Sequence, residues 1–159
     1  MIFLKIKLFD VNIGKEEELA IKKVLKSHFW ASGKGTNNVK KFENSFQNYV
    51  NTKNCVAVNS GTAALNLALS LIDIKNKEVI VPSLTFVSSV HAIVLNGGKP
   101  IFVDVEPDTL CIDPKLLTNL ISDKTAAVLP VHFAGMPCKM DIISNICKKN
   151  NLTIVEDAA

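Results

Sequence analysis

The feature that most constrains this chain is a regular alternation from residue 55 onward. Short runs rich in Val and Ile at 55–58, 78–81, 100–104, 126–130 and 153–156 alternate with helix-length segments near 62–72, 85–95, 113–121 and 140–150. Runs that stay apolar throughout, instead of alternating apolar with polar, suit strands covered on both faces. Strands interleaved with helices build a mainly parallel sheet between two helical layers, an α/β architecture. The punctuation agrees. Asp113-Pro114 supplies an N-cap followed by proline at the first helical position, while Asn96-Gly97-Gly98 and Lys149-Asn150-Asn151 suit helix exits. Upstream, Lys15 to about Ser27 places glutamates before lysines, with Leu19, Val24 and Leu25 as its apolar face. A second helix from about Val39 to Tyr49 carries Phe42, Phe46 and Tyr49 on one face. Residues 1–54 therefore read as an N-terminal arm with helices, and 55–159 as the sheet core.

A chain of 159 residues, 48% apolar and 21% charged, has a globular composition. Its net charge of +3 is spread among carboxylates with no basic stripe, which argues against nucleic acid as a partner. The apolar start, Met1 to Phe9, is interrupted by Lys5 and Lys7 and is too short to span a bilayer, so no membrane association is expected. The four cysteines, 55, 111, 138 and 147, lack metal-type spacing, and Cys55 falls in a buried-strand pattern. They read as reduced thiols of a cytoplasmic protein, with no metal site expected.

Polar residues interrupt the apolar pattern where strands end: Asn59-Ser60-Gly61-Thr62, Ser83, Thr85, Asp104, His132 and Asp157. Ligands of open α/β sheets bind outside the carboxyl ends of the strands. At 59–62 a strand turns into a helix, whose free N–H groups attract anions. Gly61 admits a close ligand, and Ser60 and Thr62 add hydroxyls. The same turn also suits an ordinary corner capped by Ser60 or Thr62. Phe86 could offer an apolar face to a ring, and Asp157 a carboxylate. Pyridoxal phosphate (PLP) uses all three: a phosphate cradle, an aromatic face and a carboxylate for its ring nitrogen. Other readings stay open at this level. Phe86 also suits a core aromatic, Asp157 a cap or ion-pair partner, and His132 either a hydrogen-bonded core histidine or an acid–base group. Asp104 suits a structural turn, and Trp30 either a packing anchor or a substrate rim.

The run from Val56 to Ala159 resembles the DegT/DnrJ/EryC1/StrS family of PLP-dependent sugar-nucleotide aminotransferases. The resemblance is carried by Ala57-Val58-Asn59-Ser60-Gly61-Thr62-Ala63-Ala64-Leu65, Val79-Ile80-Val81-Pro82-Ser83-Leu84-Thr85-Phe86-Val87, Pro100-Ile101-Phe102-Val103-Asp104-Val105, Pro130-Val131-His132-Phe133-Ala134-Gly135-Met136-Pro137 and Ile154-Val155-Glu156-Asp157-Ala158-Ala159. Trp30-Ala31-Ser32-Gly33-Lys34-Gly35 with Phe42-Glu43 resembles an early substrate-side loop and the helix after it. The resemblance implies a three-layer fold type I large domain of a PLP transferase. It implies Ser60, Gly61 and Thr62 on the cofactor phosphate, Phe86 stacked on the ring and Asp157 on the ring nitrogen. Trp30, Ser32 and Gly33 would lie toward the substrate, and His132 is a further substrate-side candidate. A keto sugar nucleotide and glutamate would be the substrates, and a homodimer the assembly.

The Schiff-base lysine and the small C-terminal domain would lie beyond Ala159. The chain is thus expected to be the N-terminal portion of the enzyme, truncated before completion and inactive alone. The stretch 71–78 is shorter than the family's connection and lacks its glycine, a change expected only in a surface turn. A PLP-dependent sugar dehydratase of the same family, with histidine in place of that lysine, fits these residues equally. A non-catalytic truncated product is the alternative from another class. A dinucleotide-binding domain is disfavoured, since Gly-x-Gly-x-x-Gly is absent after the first run.

Overall fold

The computed structural model describes residues 11–30 and 37–159. Ser32, Gly33 and the first ten residues of the expected N-terminal arm lie outside the described residues. The chain divides into two compact units, Met1–Ala57 and Val58–Ala159.

In the first unit, helix α1 (Lys15–Lys26) begins on Glu16, Glu17 and Glu18 and ends on Lys23 and Lys26, the order that a helix dipole favours. The Glu17 carboxylate accepts the Gly14 N–H at 2.7 Å, and this bond holds its pKa below the usual carboxylate range. Helix α2 (Asn38–Tyr49) stacks Phe42 on Phe46 with ring centroids 5.8 Å apart. Neither helix buries a residue, so the apolar faces expected from their periodicity are present but open.

The second unit is the alternating part of the chain. Helix α3 (Gly61–Ser70) precedes strand β1 (Glu78–Pro82), helix α4 (Val87–Leu95) and strand β2 (Lys99–Val103). Helix α5 (Pro114–Leu120), strand β3 (Thr125–Val128), helix α6 (Met140–Lys149) and strand β4 (Thr153–Ile154) complete it. The strands are parallel throughout, in the order β2-β1-β3-β4. Successive side chains of a strand point to opposite faces. Val79 and Val81 of β1 accordingly pack with Leu65, Leu69, Ala92 and Ile93 from α3 and α4. Ile80 packs on the other face with Leu117 of α5 and Ile143 and Cys147 of α6. The result is the three-layer α/β arrangement. The sequence punctuation acts where expected: Asp113 accepts the Lys115 N–H at 2.9 Å ahead of Pro114, and Gly97 leaves α4 at φ +75°.

Two expectations need correcting. The run 55–58 is not a strand. A strand is made by its neighbour, and no described segment pairs with this run; the Ala57 N–H bonds instead to the Glu43 carboxylate at 2.9 Å. Cys55 is therefore only half-buried, whereas Cys111, Cys138 and Cys147 are buried, and all four are free thiols. Burial pushes the Cys147 thiol up to about 11. Burial, helped by the nearby Cys111 thiol, pushes Cys138 up to about 12.

A haloacetamide near pH 8 should alkylate Cys55 well before the other three, with peptide mass mapping as the check. Native-state labelling of Cys147 at the rate of Cys55 would contradict this burial. These raised values also fix a sign. Between the ordinary thiol value of 9.0 and about 11 to 12, the unfolded chain has lost protons that the folded one keeps. Stability should therefore fall as pH rises through that window.

Candidate functional site

The strand order reverses beside β1: the chain moves to β2 on one side, then returns to place β3 on the other. Such a switch point leaves a crevice at the carboxyl ends of the strands. The segment after β1 supplies Thr85 and Phe86 to that end of the sheet. The ladder beyond β3 supplies Asp157, which bridges to Val131 through Asp157 N–H to Pro130 O at 2.9 Å and His132 N–H to Asp157 O at 3.0 Å.

The Ser60 turn lies at the start of α3. Ser60 is extended and its Oγ accepts the Ala63 N–H at 3.1 Å, while its carbonyl accepts the Ala64 N–H at 3.0 Å. Ser60 is thus the helix cap, and its hydroxyl proton stays available to an anion. Gly61 and Thr62 hold the first two helical N–H groups, which have no acceptor inside a helix and sit at its positive end. A Cβ added at Gly61 would meet only the Ala159 Cβ, at an ordinary 3.9 Å. The fold therefore does not require glycine here, and the same distance brings the turn beside the segment that carries Asp157. With N–H and hydroxyl donors and no carboxylate, the turn's chemistry suits a phosphate.

Phe86 is the N-cap residue of α4 and is 74% exposed, which overturns the core-aromatic reading. Asp157 is 6% exposed, yet no cation pairs with it among the described residues. Its Oδ2 accepts the Ser89 hydroxyl at 2.7 Å and its Oδ1 accepts the Ala159 N–H at 3.3 Å. Ser89, itself fully buried, lies 2.8 Å from the Thr85 hydroxyl. The sequence reading missed Ser89. Its signal was the pair Ser88-Ser89 inside a mostly apolar helix, since a hydroxyl buried there needs a partner.

His132 is engaged at both ring nitrogens. Nδ1 accepts the Cys138 N–H at 3.1 Å, so in the neutral ring Nε2 carries the proton and meets Glu156 Oε2 at 3.0 Å. Both ring nitrogens thus have protein partners, one of them the half-exposed Glu156 carboxylate. Asp104 accepts the Val105 N–H at 2.8 Å through Oδ1, and its carbonyl accepts the Asp113 N–H at 3.1 Å, the structural turn anticipated for it. Trp30, in the first unit, is 70% exposed, with its Nε1 donating to Leu25 O at 3.5 Å. It is not a packed anchor within that unit. The structure thus gathers Ser60, Gly61, Thr62, Phe86 and Asp157 within the second unit. No helix among the described residues is long and apolar enough to cross a membrane.

A parallel α/β sheet with an anion-ready helix terminus and a buried carboxylate at its switch point defines a class of cofactor-binding α/β proteins. The chain belongs to the DegT/DnrJ/EryC1/StrS aminotransferase family, whose model matches residues 11–159. It is 42% identical over 148 residues to the spore coat polysaccharide biosynthesis protein SpsC of Bacillus subtilis, covering 92% of this chain and 37% of that protein. Among solved structures, the aminotransferase of Psychrobacter cryohalolentis superposes with a TM-score of 0.87 at 35% identity, over 93% of this chain and 38% of that one. The GDP-4-keto-6-deoxy-D-mannose-3-dehydratase of E. coli, solved with bound hydrated PLP, superposes at 0.85 with 29% identity, over 94% of this chain and 40% of that one. The chain therefore spans about two fifths of the length of the relatives it matches.

Proposed function

We propose that this chain supplies the cofactor-binding half of a PLP-dependent enzyme that transfers an amino group from glutamate to a keto sugar nucleotide. The observation that carries the reading is the convergence of a donor-only turn at 60–62 with a buried carboxylate at Asp157. The 3.9 Å approach of a Gly61 Cβ to Ala159 measures that convergence. The residues fit the group. Ser60, Gly61 and Thr62 would bind its phosphate, and Phe86 would cover one ring face and exclude water from it. Asp157 would hold a proton on the ring nitrogen. Bound PLP supplies an electrophilic carbonyl and a ring that accepts electrons. The charge on Asp157 would keep the ring nitrogen of such a group protonated. The free cysteines favour a cytoplasmic enzyme, and a homodimer is the assembly that the family likeness suggests.

Dehydration is the second reading, supported by the E. coli relative; the higher identity to an aminotransferase, 35% against 29%, favours amino transfer. The test uses the protein as its gene encodes it. PLP should bind, its visible absorption should fade on adding glutamate, and a keto sugar nucleotide should restore it with an amino sugar as product. A deoxygenated sugar in place of an amino sugar would select the dehydratase, and absence of PLP binding would overturn both.

Gly61 gives a sharper check on the phosphate turn. Its added Cβ finds room, and alanine limits the unfolded chain, so Gly61→Ala should leave stability unchanged or raised by about 0.5 kcal/mol. Its methyl would stand where a phosphate must approach, so PLP affinity should fall about tenfold, equivalent to roughly 1.4 kcal/mol. Calorimetry and PLP titration separate the two effects; unaltered affinity would remove Gly61 from the phosphate site.

A further inference from the structure

The bond between Ser89 and Asp157 has a direction that follows from its chemistry. An ionised carboxylate only accepts, so the single hydroxyl proton of Ser89 goes to Asp157 Oδ2, at 2.7 Å. The Ser89 oxygen is then left to accept, and its neighbour at 2.8 Å is the Thr85 hydroxyl. Thr85 therefore turns its own proton toward Ser89 in preference to Phe86 O, which lies at 3.4 Å. A serine in a helix commonly bonds back to a carbonyl of the preceding turn. Ser89 instead reaches a residue 68 positions away, and both ends of that bond are buried. The chain runs one way, Thr85 to Ser89 to Asp157, and anchors Oδ2. Oδ1, whose partner is the Ala159 N–H at a long 3.3 Å, keeps acceptor capacity to spare.

We propose that Ser89, seconded by Thr85, is a positioning residue that fixes the Asp157 carboxylate so that one oxygen is held by the protein and the other is presented to a protonated ring nitrogen. This inference rests on the cofactor reading above. Phe86 sits between Thr85 and Ser89 in sequence, so the α4 terminus that would cover the ring face also aims the carboxylate at the ring edge.

The test compares two probes on the protein as its gene encodes it: pyridoxamine phosphate, and its analogue with carbon in place of the ring nitrogen. Only the first can donate an N–H to Asp157, so the ratio of their dissociation constants reads that one contact. Ser89→Ala should weaken pyridoxamine phosphate about tenfold and the carbon analogue less than about twofold. Thr85→Val, which keeps the side-chain shape, should give a smaller loss with the same selectivity for nitrogen. It carries the test if Ser89→Ala fails to fold. Equal losses for both probes would make Ser89 merely structural and overturn the inference, as would no loss for either. A wild-type protein that binds both probes equally would remove Asp157 from the ring nitrogen while leaving the phosphate turn standing. One that binds neither would overturn the cofactor reading itself.

Discussion

If the proposed function holds, replacing Asp157 with asparagine in the protein as its gene encodes it is expected to leave it folded and lower its turnover by about 10²–10³, the range seen when one preorganised electrostatic group is removed. The asparagine side chain matches the aspartate in shape. Its amide oxygen can still accept the Ser89 hydroxyl that now meets Oδ2 at 2.7 Å, so the buried network keeps its acceptor. The charge is lost, and with it the group that, on the proposed reading, would hold a proton on the ring nitrogen. Asp157→Ala should be worse on both counts, since it also removes the buried acceptor of the Ser89 hydroxyl and of the Ala159 N–H; a hydrogen bond to a charged group contributes about 1.5–3 kcal/mol. Steady-state kinetics and thermal melts on the two variants separate the terms. Asparagine should melt close to wild type and react slowly, and alanine should lose both. An asparagine variant with wild-type turnover would show that the carboxylate acts only as a structural acceptor.

Much of this arrangement was legible in the sequence, and the parts that were not have physical causes. Four of the five apolar runs became strands because each found a parallel neighbour; the fifth, 55–58, did not, since pairing is a property of two segments and a sequence pattern shows only one. The donor turn at 60–62 could be read because its chemistry is local: Ser60, Gly61 and Thr62 are consecutive, and helix N-termini expose N–H groups whatever the fold. Phe86 could be named but not judged, because aromaticity suits a core and a ligand face equally. Its 74% exposure decides against the core. Ser89 stayed hidden for a related reason. Its partner is 68 residues away, and no spacing rule links a helix's first turn to a carboxylate after the last strand. His132 shows the limit from the other side. Its neighbour in sequence, Phe133, says nothing of the Cys138 N–H that takes up its Nδ1.

Ile80→Ala should produce the largest loss of stability among single truncations in this sheet. Ile80 is fully buried in β1, which has β2 on one side and β3 on the other. Its carbonyl accepts the Leu129 N–H at 2.8 Å, and its side chain lies under Leu117 and Ile143 of the α5–α6 layer. Removing three carbons there leaves a cavity walled by two helices and two strands, where little can collapse inward. Truncations of this type cost about 2–5 kcal/mol, a large share of the roughly 5–15 kcal/mol that holds a typical domain together. Leu71 is the control: at 82% exposed, its alanine variant should change stability by no more than about 0.5 kcal/mol. Urea unfolding should show the midpoint falling for Ile80→Ala at an unchanged slope. β1 leads directly into Thr85 and Phe86, but Ile80 packs on the α5–α6 side of the sheet, opposite the α3–α4 side that carries Gly61 and Ser89. The molecules that remain folded should therefore bind PLP with wild-type affinity, while fewer of them are folded. Equal midpoints for the Ile80 and Leu71 variants would mean that the α5–α6 layer is not packed on the sheet. A lost PLP affinity in the folded fraction would mean that the cavity reaches the carboxyl end of β1, so that the core sets the geometry of the site as well as its stability.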